Sequence, residues 1–500
     1  MKASRQTLSL ALGFLVIVAS YVVVRWEGRQ PFPDGCDSFG YMRLAQILRE
    51  AVSSGHAPDY TIHHPQIDAL RTAFAASSFP VAEWSEALAP QAHHDNPARG
   101  TIGIQYPPGT GLVLAPFSPE RAPVRYSQSL VILLFLFGAG VLLIFYRRGK
   151  TEAALPLVFA AASTMILCDT VKHYSYSIQA SIPFLIVGLV LLARSRDSKK
   201  ARDVIVAAFA LSLACLCRLP IVFHFVGWFL LAAPSLRWIF AGAFGVIFGA
   251  ATLLYNWHVT GNPFTPTYGP IDNAAPSLST IGTNLSYYFV GGGNQFVWAV
   301  IVMTLIAIPA LAKSGRWKNG VLPLVALIGV PLGYFLTHAI HWSYYMHPTW
   351  LSAVWVLALA ASIDLPKFSK RFATGIVVLG SVVILTALPL GKWTSHESHR
   401  TSSISESLIP TLHDDRAWIW SDFSSGSFWY YWKKPSQKMN FASPELQIWT
   451  EAWIRSRGDT LYIVEDSDSM KRARQRLEEQ GISFEEAGKA LGYPVYRARR

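Results

Sequence analysis

Long apolar runs constrain this chain more than any other feature. Eleven stretches qualify, at 8–25, 127–146, 152–168, 177–194, 203–217, 219–233, 238–256, 294–312, 320–337, 348–363 and 372–389. Each is about the length a bilayer asks of a helix, on the order of 20 residues. Lipid offers the backbone no hydrogen-bond partner, so runs of this kind cross it as helices. Between them, Lys and Arg gather in short clusters: Arg147, Arg148 and Lys150; Arg194, Arg196, Lys199, Lys200 and Arg202; Lys313, Arg316 and Lys318; Lys367, Lys370 and Arg371. All four loops fall on one side, while the opposite connections at 257–293 and 338–347 hold no Lys or Arg. That asymmetry predicts a cytoplasmic N-terminus and an extracytoplasmic C-terminus.

The formal net charge of +12 therefore reports membrane orientation, and nucleic acid is excluded as a partner. With 51% hydrophobic and 15% charged residues, the chain is too apolar for an ordinary soluble protein of its size. The first run, although preceded by Lys2 and Arg5, ends in Val22-Val23-Val24-Arg25-Trp26. This is a poor small-residue cleavage site, so a retained helix is expected. Cys36, Cys168, Cys215 and Cys217 make no disulfide framework, although a Cys36–Cys168 bridge stays open.

The expected fold is an all-α, multi-pass protein of the inner (plasma) membrane with a small extracytoplasmic α/β domain. The membrane domain covers 1–390, including a large outer loop at 26–126, and the tail covers 391–500. In the tail, Trp418–Ser421 and Thr460–Val464 read as buried strands. Pro444–Ser456 reads as a helix entered from Ser443 with Pro at its first position. Asp468–Gln480 reads as a second helix, stopped by Gly481. Alternating strands and helices indicate an α/β arrangement.

The stretch after the first apolar run carries two carboxylates, Asp34 and Asp37. An amphipathic helix follows, with Tyr41, Leu44, Ala45, Leu48 and Val52 at helical spacing, and it is expected along the bilayer surface with its apolar side down. Asp37 is the first candidate for a catalytic base and Asp34 the second; either could instead cap the helix. Tyr106, Pro107 and Pro108, with Gly109 behind them, make a stiff extended segment before a turn. That segment suits either a cleft wall or a simple lead-in to the next span. Arg218 closes the fifth run, where an arginine at membrane depth needs a partner. A lipid phosphate, gripped bidentately, competes with an ion pair to Asp169.

Lys172 and His173 offer further cations at the same boundary, unless they are solvated loop charges. His258, Tyr268, His341 and Tyr345 sit in outer turns, where aromatics either belong to the interfacial belt or stack on a sugar. His56, His63, His64, His93, His94 and Asp95 lack the i, i+4 spacing of a helical metal site. No metal or other cofactor is expected, a divalent ion there being the lesser reading.

Four of these places together resemble the polyprenyl-phosphate-dependent GT-C glycosyltransferases, whose members include protein O-mannosyltransferases and the aminoarabinose transferases that modify lipid A. They are Asp37-Ser38-Phe39-Gly40-Tyr41, Tyr106-Pro107-Pro108-Gly109, Arg218-Leu219-Pro220, and Tyr255-Asn256 with Gly261-Asn262-Pro263-Phe264 and Tyr268. Their order and side agree with that family over about residues 8–390. Ser38 stands where the family usually has Glu, and residues 56–100 look like a longer insert. The resemblance implies an inverting transfer from a polyprenyl-phosphate sugar to an envelope acceptor, whether glycolipid (lipopolysaccharide included), polysaccharide or protein. Asp37 would act as base, and Arg218, Lys172, His173 and His341 would hold the donor phosphate. Tyr41, Tyr106, Pro107, Pro108, His258, Tyr268 and Tyr345 would line the cleft. A flippase for lipid-linked sugars and a non-catalytic envelope assembly protein are the rival readings.

Overall fold

The computed structural model describes residues 36–96, 99–116, 176–268, 276–290, 301, 321–339, 343–361, 414–490 and 492–499. The chain folds as two compact units. One, the helical unit, takes Arg125–Thr252 and Ala274–Thr394 together with the N-terminal residues; the other, the mixed unit, takes Gln30–Val124, Leu253–Asn273 and Ser395–Arg500. The apolar runs at 8–25, 127–146, 152–168 and 372–389 lie outside the described residues, as does 294–312 but for residue 301.

The mixed unit opens on helix α1 (Cys36–Ser54), the amphipathic helix expected from the sequence. Its apolar stripe is covered by protein. Tyr41, Leu44 and Ala45 are buried, while Val52, at the far end of the expected stripe, is 86% exposed. Strand β1 (Thr61–Ile62), helices α2 (Pro65–Ala75) and α3 (Val81–Leu88), strands β2 (His93–Asn96) and β3 (Thr101–Ile104) and helix α4 (Gly109–Leu114) follow. The three strands form an antiparallel sheet in the order β1-β3-β2.

In the helical unit, α5 (Tyr176–Ser198) and α6 (Ala201–Cys217) occupy two of the expected spans. Their buried residues recur at helical spacing, Ile178, Ile182, Leu185, Leu189 and Leu192 on one and Val204, Ala207, Leu211 and Ala214 on the other. Small residues on α6 allow close approach, which is what drives helix association in lipid. Pro220 supplies no N–H and its ring obstructs a continuing helix, so α6 stops at Arg218, which is extended at φ −148°. A 3-10 turn, Leu219–His224, leads into α7 (Phe225–Leu231). The carbonyls of Leu230 and Leu231 at the end of α7 accept hydrogen bonds from Arg196 at 2.6 and 2.7 Å. Arg196, with Arg237 donating to the Leu230 carbonyl at 2.9 Å, thus satisfies carbonyls at the helix end.

Helix α8 (Arg237–Thr260) follows, then α9 (Ile281–Leu285), α10 (Leu322–Thr337) and α11 (His347–Ala361). Among the described residues, one helical stretch, Pro234–Thr260, is long and apolar enough to cross a membrane. Leu219–Leu231 and Leu322–Thr337 are shorter apolar helices.

The tail carries β4 (Ala417–Trp420), α12 (Ser425–Trp432), β5 (Ser436–Gln437), α13 (Pro444–Ser456), β6 (Thr460–Val464), α14 (Asp468–Glu479), β7 (Phe484–Ala490) and β8 (Tyr493–Ala498). The sheet order is β5-β4-β6-β8-β7, parallel through β5, β4 and β6 and antiparallel beyond. Side chains alternate between strand faces. Ala417, Ile419, Tyr462 and Val464 pack with Phe428 on one face. Trp418, Trp420, Leu461 and Ile463 pack on the other, in a cluster with Leu446, Ile454, Met470 and Leu477. That second cluster also takes in Ile67, Leu70, Phe74, Trp84 and Leu88 from the first loop. The sequence suggests a boundary at residue 390; the structure gives loop and tail one core.

Candidate functional site

Helix α1 (Cys36–Ser54) carries Asp37 near the start of its described length. One turn on, the ring of Tyr106 lies against the backbone of Gly40. A Cβ at Gly40 would sit 2.5 Å from the Tyr106 ring and 2.7 Å from Ala92, so glycine is what lets the two approach. The Tyr41 and Tyr106 rings are 4.4 Å apart, and Tyr268 meets Tyr106 edge-on at 6.0 Å. Below them, the Tyr255 hydroxyl donates to the Tyr106 carbonyl at 2.5 Å and Thr267 donates to the Gln105 carbonyl at 2.6 Å.

The structure therefore gathers Tyr41, Tyr106 and Tyr268 at one place, a few residues from Asp37. Tyr41, Tyr106 and Pro107 are buried and form a rigid wall. Pro108 is half-buried and caps α4. Asp34 lies outside the described residues.

His258 stands apart from this wall. It is exposed, its Nε2 lies 3.0 Å from the Pro58 carbonyl, and its ring meets Tyr60 edge-on at 5.5 Å. These groups border a cavity of about 440 Å³ lined by Asp59, Tyr60, Thr61, Arg99, Thr101, Trp257 and His258. Apart from His258, no sequence signal singled out its lining. Burial pushes the Tyr60 phenol up to about 12, so it stays a neutral hydrogen-bonding group there.

In the helical unit, Arg218 is 9% exposed. Its guanidinium carbon lies 4.3 Å from the centre of the Tyr345 ring, within cation–π range, and its Nη1 is 3.4 Å from the Ser177 hydroxyl. Tyr345, a candidate for stacking on sugar, is thus a platform for the arginine. His338 stacks on Tyr334 at 5.1 Å. The Asn284 amide, which the sequence did not flag, donates to the carbonyls of Phe335, Leu336 and His338. It fastens the end of α10. Lys172, His173, His341 and Asp169 lie outside the described residues.

The histidine-rich stretch around β2 forms an ionic core. Alternation along the strand turns His93 and His94 to opposite faces. Among the described residues, no group of three or more His, Cys, Asp or Glu side chains could hold a metal ion. His94 lies 3.4 Å and Lys438 3.5 Å from the Glu86 carboxylate. Burial raises the Glu86 carboxyl, but the His94 hydrogen bond and the Lys438 ammonium outweigh it and hold it below its usual range. Arg71 bridges Asp68 and Asp95 at 2.9 and 2.8 Å. Burial nevertheless pushes Asp95 up to about 6 and pushes His93 down to about 3. This network ties the first loop to Lys438 of the tail, and the sequence, in which these histidines suggest only metal ligands, does not reveal it.

No protein-family model matches the chain, and no curated protein matches it by sequence. Among solved structures, it is similar to ArnT, an aminoarabinose transferase from Cupriavidus metallidurans, in the apo state, with a TM-score of 0.56 at 12% identity over 97% of both chains. Two structures from Archaeoglobus fulgidus have lower scores. An oligosaccharyltransferase in the apo form gives 0.45 at 10% identity, over 92% of this chain and 69% of that one. AglB, an oligosaccharyltransferase bound to an inhibitory peptide and a dolichol-phosphate, gives 0.47 at 10% identity, over 97% and 73%. The ArnT likeness covers 97% of the chain, and the fold is the GT-C fold.

Proposed function

We propose that this GT-C chain is an integral-membrane glycosyltransferase that moves a sugar from a polyprenyl phosphate to an acceptor in the cell envelope, on the outer face of the membrane. The observation that carries the reading is Arg218, a guanidinium withdrawn from water at the end of a helix and held against a ring and a hydroxyl. These contacts fix where its planar fork lies. A phosphate-binding arginine requires that preorganisation.

In the proposed reaction Asp37 takes the proton from an acceptor hydroxyl as that oxygen attacks the anomeric carbon. The bond from that carbon to the phosphate oxygen breaks, the configuration inverts, and polyprenyl phosphate departs with the bonding pair. Arg218, with Lys172, His173 and His341, offsets the charge that builds on the phosphate. The tail of the donor stays in the bilayer, at about 0.8 kcal/mol for each buried methylene, so the protein reads the phosphate and the sugar. The Tyr41–Tyr106–Tyr268 cluster keeps the start of α1 in place.

Donor binding tests this reading. Titrating the purified full chain with a polyprenyl-phosphate sugar should give affinity lost by at least tenfold in Arg218→Ala and partly kept in Arg218→Lys. Wild-type affinity in both variants would overturn the phosphate assignment.

A further inference from the structure

The cavity at the end of α8 is not used by the proposed transfer, and its lining has a definite chemistry. Arg99 directs Nη1 to the carbonyls of His258 and Val259 at 2.8 and 3.5 Å, which leaves the rest of its fork for another acceptor. Gly261, at φ +79°, lets this happen. It closes α8 through a hydrogen bond to the Trp257 carbonyl at 2.8 Å, and a Cβ there would come 2.9 Å from Arg99 Cδ. Opposite in charge stands Asp59. Burial raises its carboxyl, but the hydrogen bonds from Thr61 and the His63 imidazole outweigh that and hold it below its usual range. It accepts from Thr61 N, Thr61 Oγ1 and His63 Nε2 at 3.0, 2.6 and 3.0 Å, three of about four positions a carboxylate offers.

A further observation narrows the occupant. Leu253, Leu254 and Trp257 fall on one face of α8 and are 39%, 61% and 59% exposed. Large apolar groups left bare on an apolar helix of membrane-crossing length are what acyl chains cover, and an exposed Trp at its end suits the headgroup level.

We propose that this cavity binds the headgroup of a zwitterionic aminophospholipid, with its phosphate on Arg99, its primary ammonium on Asp59, and its acyl chains along Leu253, Leu254 and Trp257. One fixed cation and one fixed anion in the same cavity match a headgroup that carries both. A purely anionic headgroup meets Asp59 unfavourably, and a quaternary ammonium has no N–H for the carboxylate's remaining position. The site stands apart from the transfer reaction and does not depend on it.

Native mass spectrometry of the detergent-released full chain tests this. The protein is exposed to equal amounts of phosphatidylethanolamine, phosphatidylcholine and phosphatidylglycerol with matched acyl chains. The wild type should retain phosphatidylethanolamine at least fivefold over the other two. Asp59→Asn, close to isosteric, should erase that preference at an unchanged unfolding temperature, and Trp257→Ala should lower retention of all three lipids. Equal retention of the lipids by the wild type would overturn the proposal. So would an unaltered preference in Asp59→Asn, or displacement of the lipid by a neutral disaccharide.

Discussion

The two units hold their buried and half-buried cations differently. In the mixed unit, cations meet carboxylates: Arg71 meets Asp68 and Asp95, Lys438 meets Glu86, and Arg474 meets Glu465 and Glu478. In the helical unit, Arg194 also meets a carboxylate, Asp203, at 3.3 Å, but Arg196 gives hydrogen bonds to backbone carbonyls, and Arg218 lies against a ring and a hydroxyl. The first arrangement neutralises charge and tightens a core. The second sets a guanidinium against backbone carbonyls, a ring and a hydroxyl.

The largest structural effect expected from breaking this contrast is at Asp466. Its carboxylate accepts from Ser421 Oγ, Asp422 N and Ser424 N at 2.8, 2.9 and 2.8 Å, and so ties the end of β6 to the turn after β4. Hydrogen bonds to a charged group contribute about 1.5–3 kcal/mol each, and the three are coupled. Asp466→Ala should therefore cost the mixed unit about 3–5 kcal/mol, measured by the denaturant dependence of tryptophan fluorescence, with far-ultraviolet helicity largely kept. Loss of all helicity in one step would show that the two units do not unfold separately.

A pH series separates the titrations in the ionic core. His93, held near 3 in the fold, stays neutral where the unfolded chain takes up a proton, so its contribution is lost as pH falls from about 6.5. Asp95 and Asp422, raised to about 6, run the other way: their contribution is complete below about 3.8 and is lost as pH rises through 6. His93→Gln removes the His93 contribution and leaves those of Glu86, His94, Asp95 and Asp422 in place. The stability of the wild type relative to that variant should fall by about 1.4 kcal/mol per pH unit between 6.5 and 4. A difference independent of pH would remove His93 from the account.

The smallest effect is at Lys433, which closes α12 in the left-handed region at φ 54°. An L side chain costs roughly 1–2 kcal/mol there, and glycine gives part of that back as backbone entropy. Lys433→Gly should therefore stabilise the mixed unit by about 1 kcal/mol or less, read as a slightly higher thermal midpoint. A lower midpoint would mean that the 3.0 Å bond from Lys433 Nζ to the Tyr430 carbonyl matters more than the strain.

What could be read from the sequence was what is local. Thr460–Val464, the Ser443 cap with Pro444 behind it, and the stop at Gly481 follow from a short continuous apolar run, capping and φ preference, and the structure has all three. Strand β7, Phe-Glu-Glu-Ala-Gly-Lys-Ala, is an edge strand with a bulge near Gly488, and such strands have no apolar pattern to show. Helix α12 packs against Gln91, whose N–H donates to Ser425 and whose carbonyl lies 2.7 Å from where a Cβ of Gly426 would be. That partner is far away in sequence. The same limit governs the site. Gly40, Tyr41 and Tyr106 stand in short motifs and could be picked out, whereas Tyr345 beneath Arg218, and Asp59 and Arg99 beside Trp257, come together only on folding.

The central claim is that Asp37 serves a sugar transfer from a lipid phosphate, and turnover tests it most directly. Purified wild type and Asp37→Asn are compared for release of polyprenyl phosphate and labelling of an envelope acceptor from a radiolabelled polyprenyl-phosphate sugar. The account predicts a loss of about 10²–10⁴-fold in the variant, as for removal of a general base, with donor affinity retained. Undiminished turnover in Asp37→Asn would contradict it.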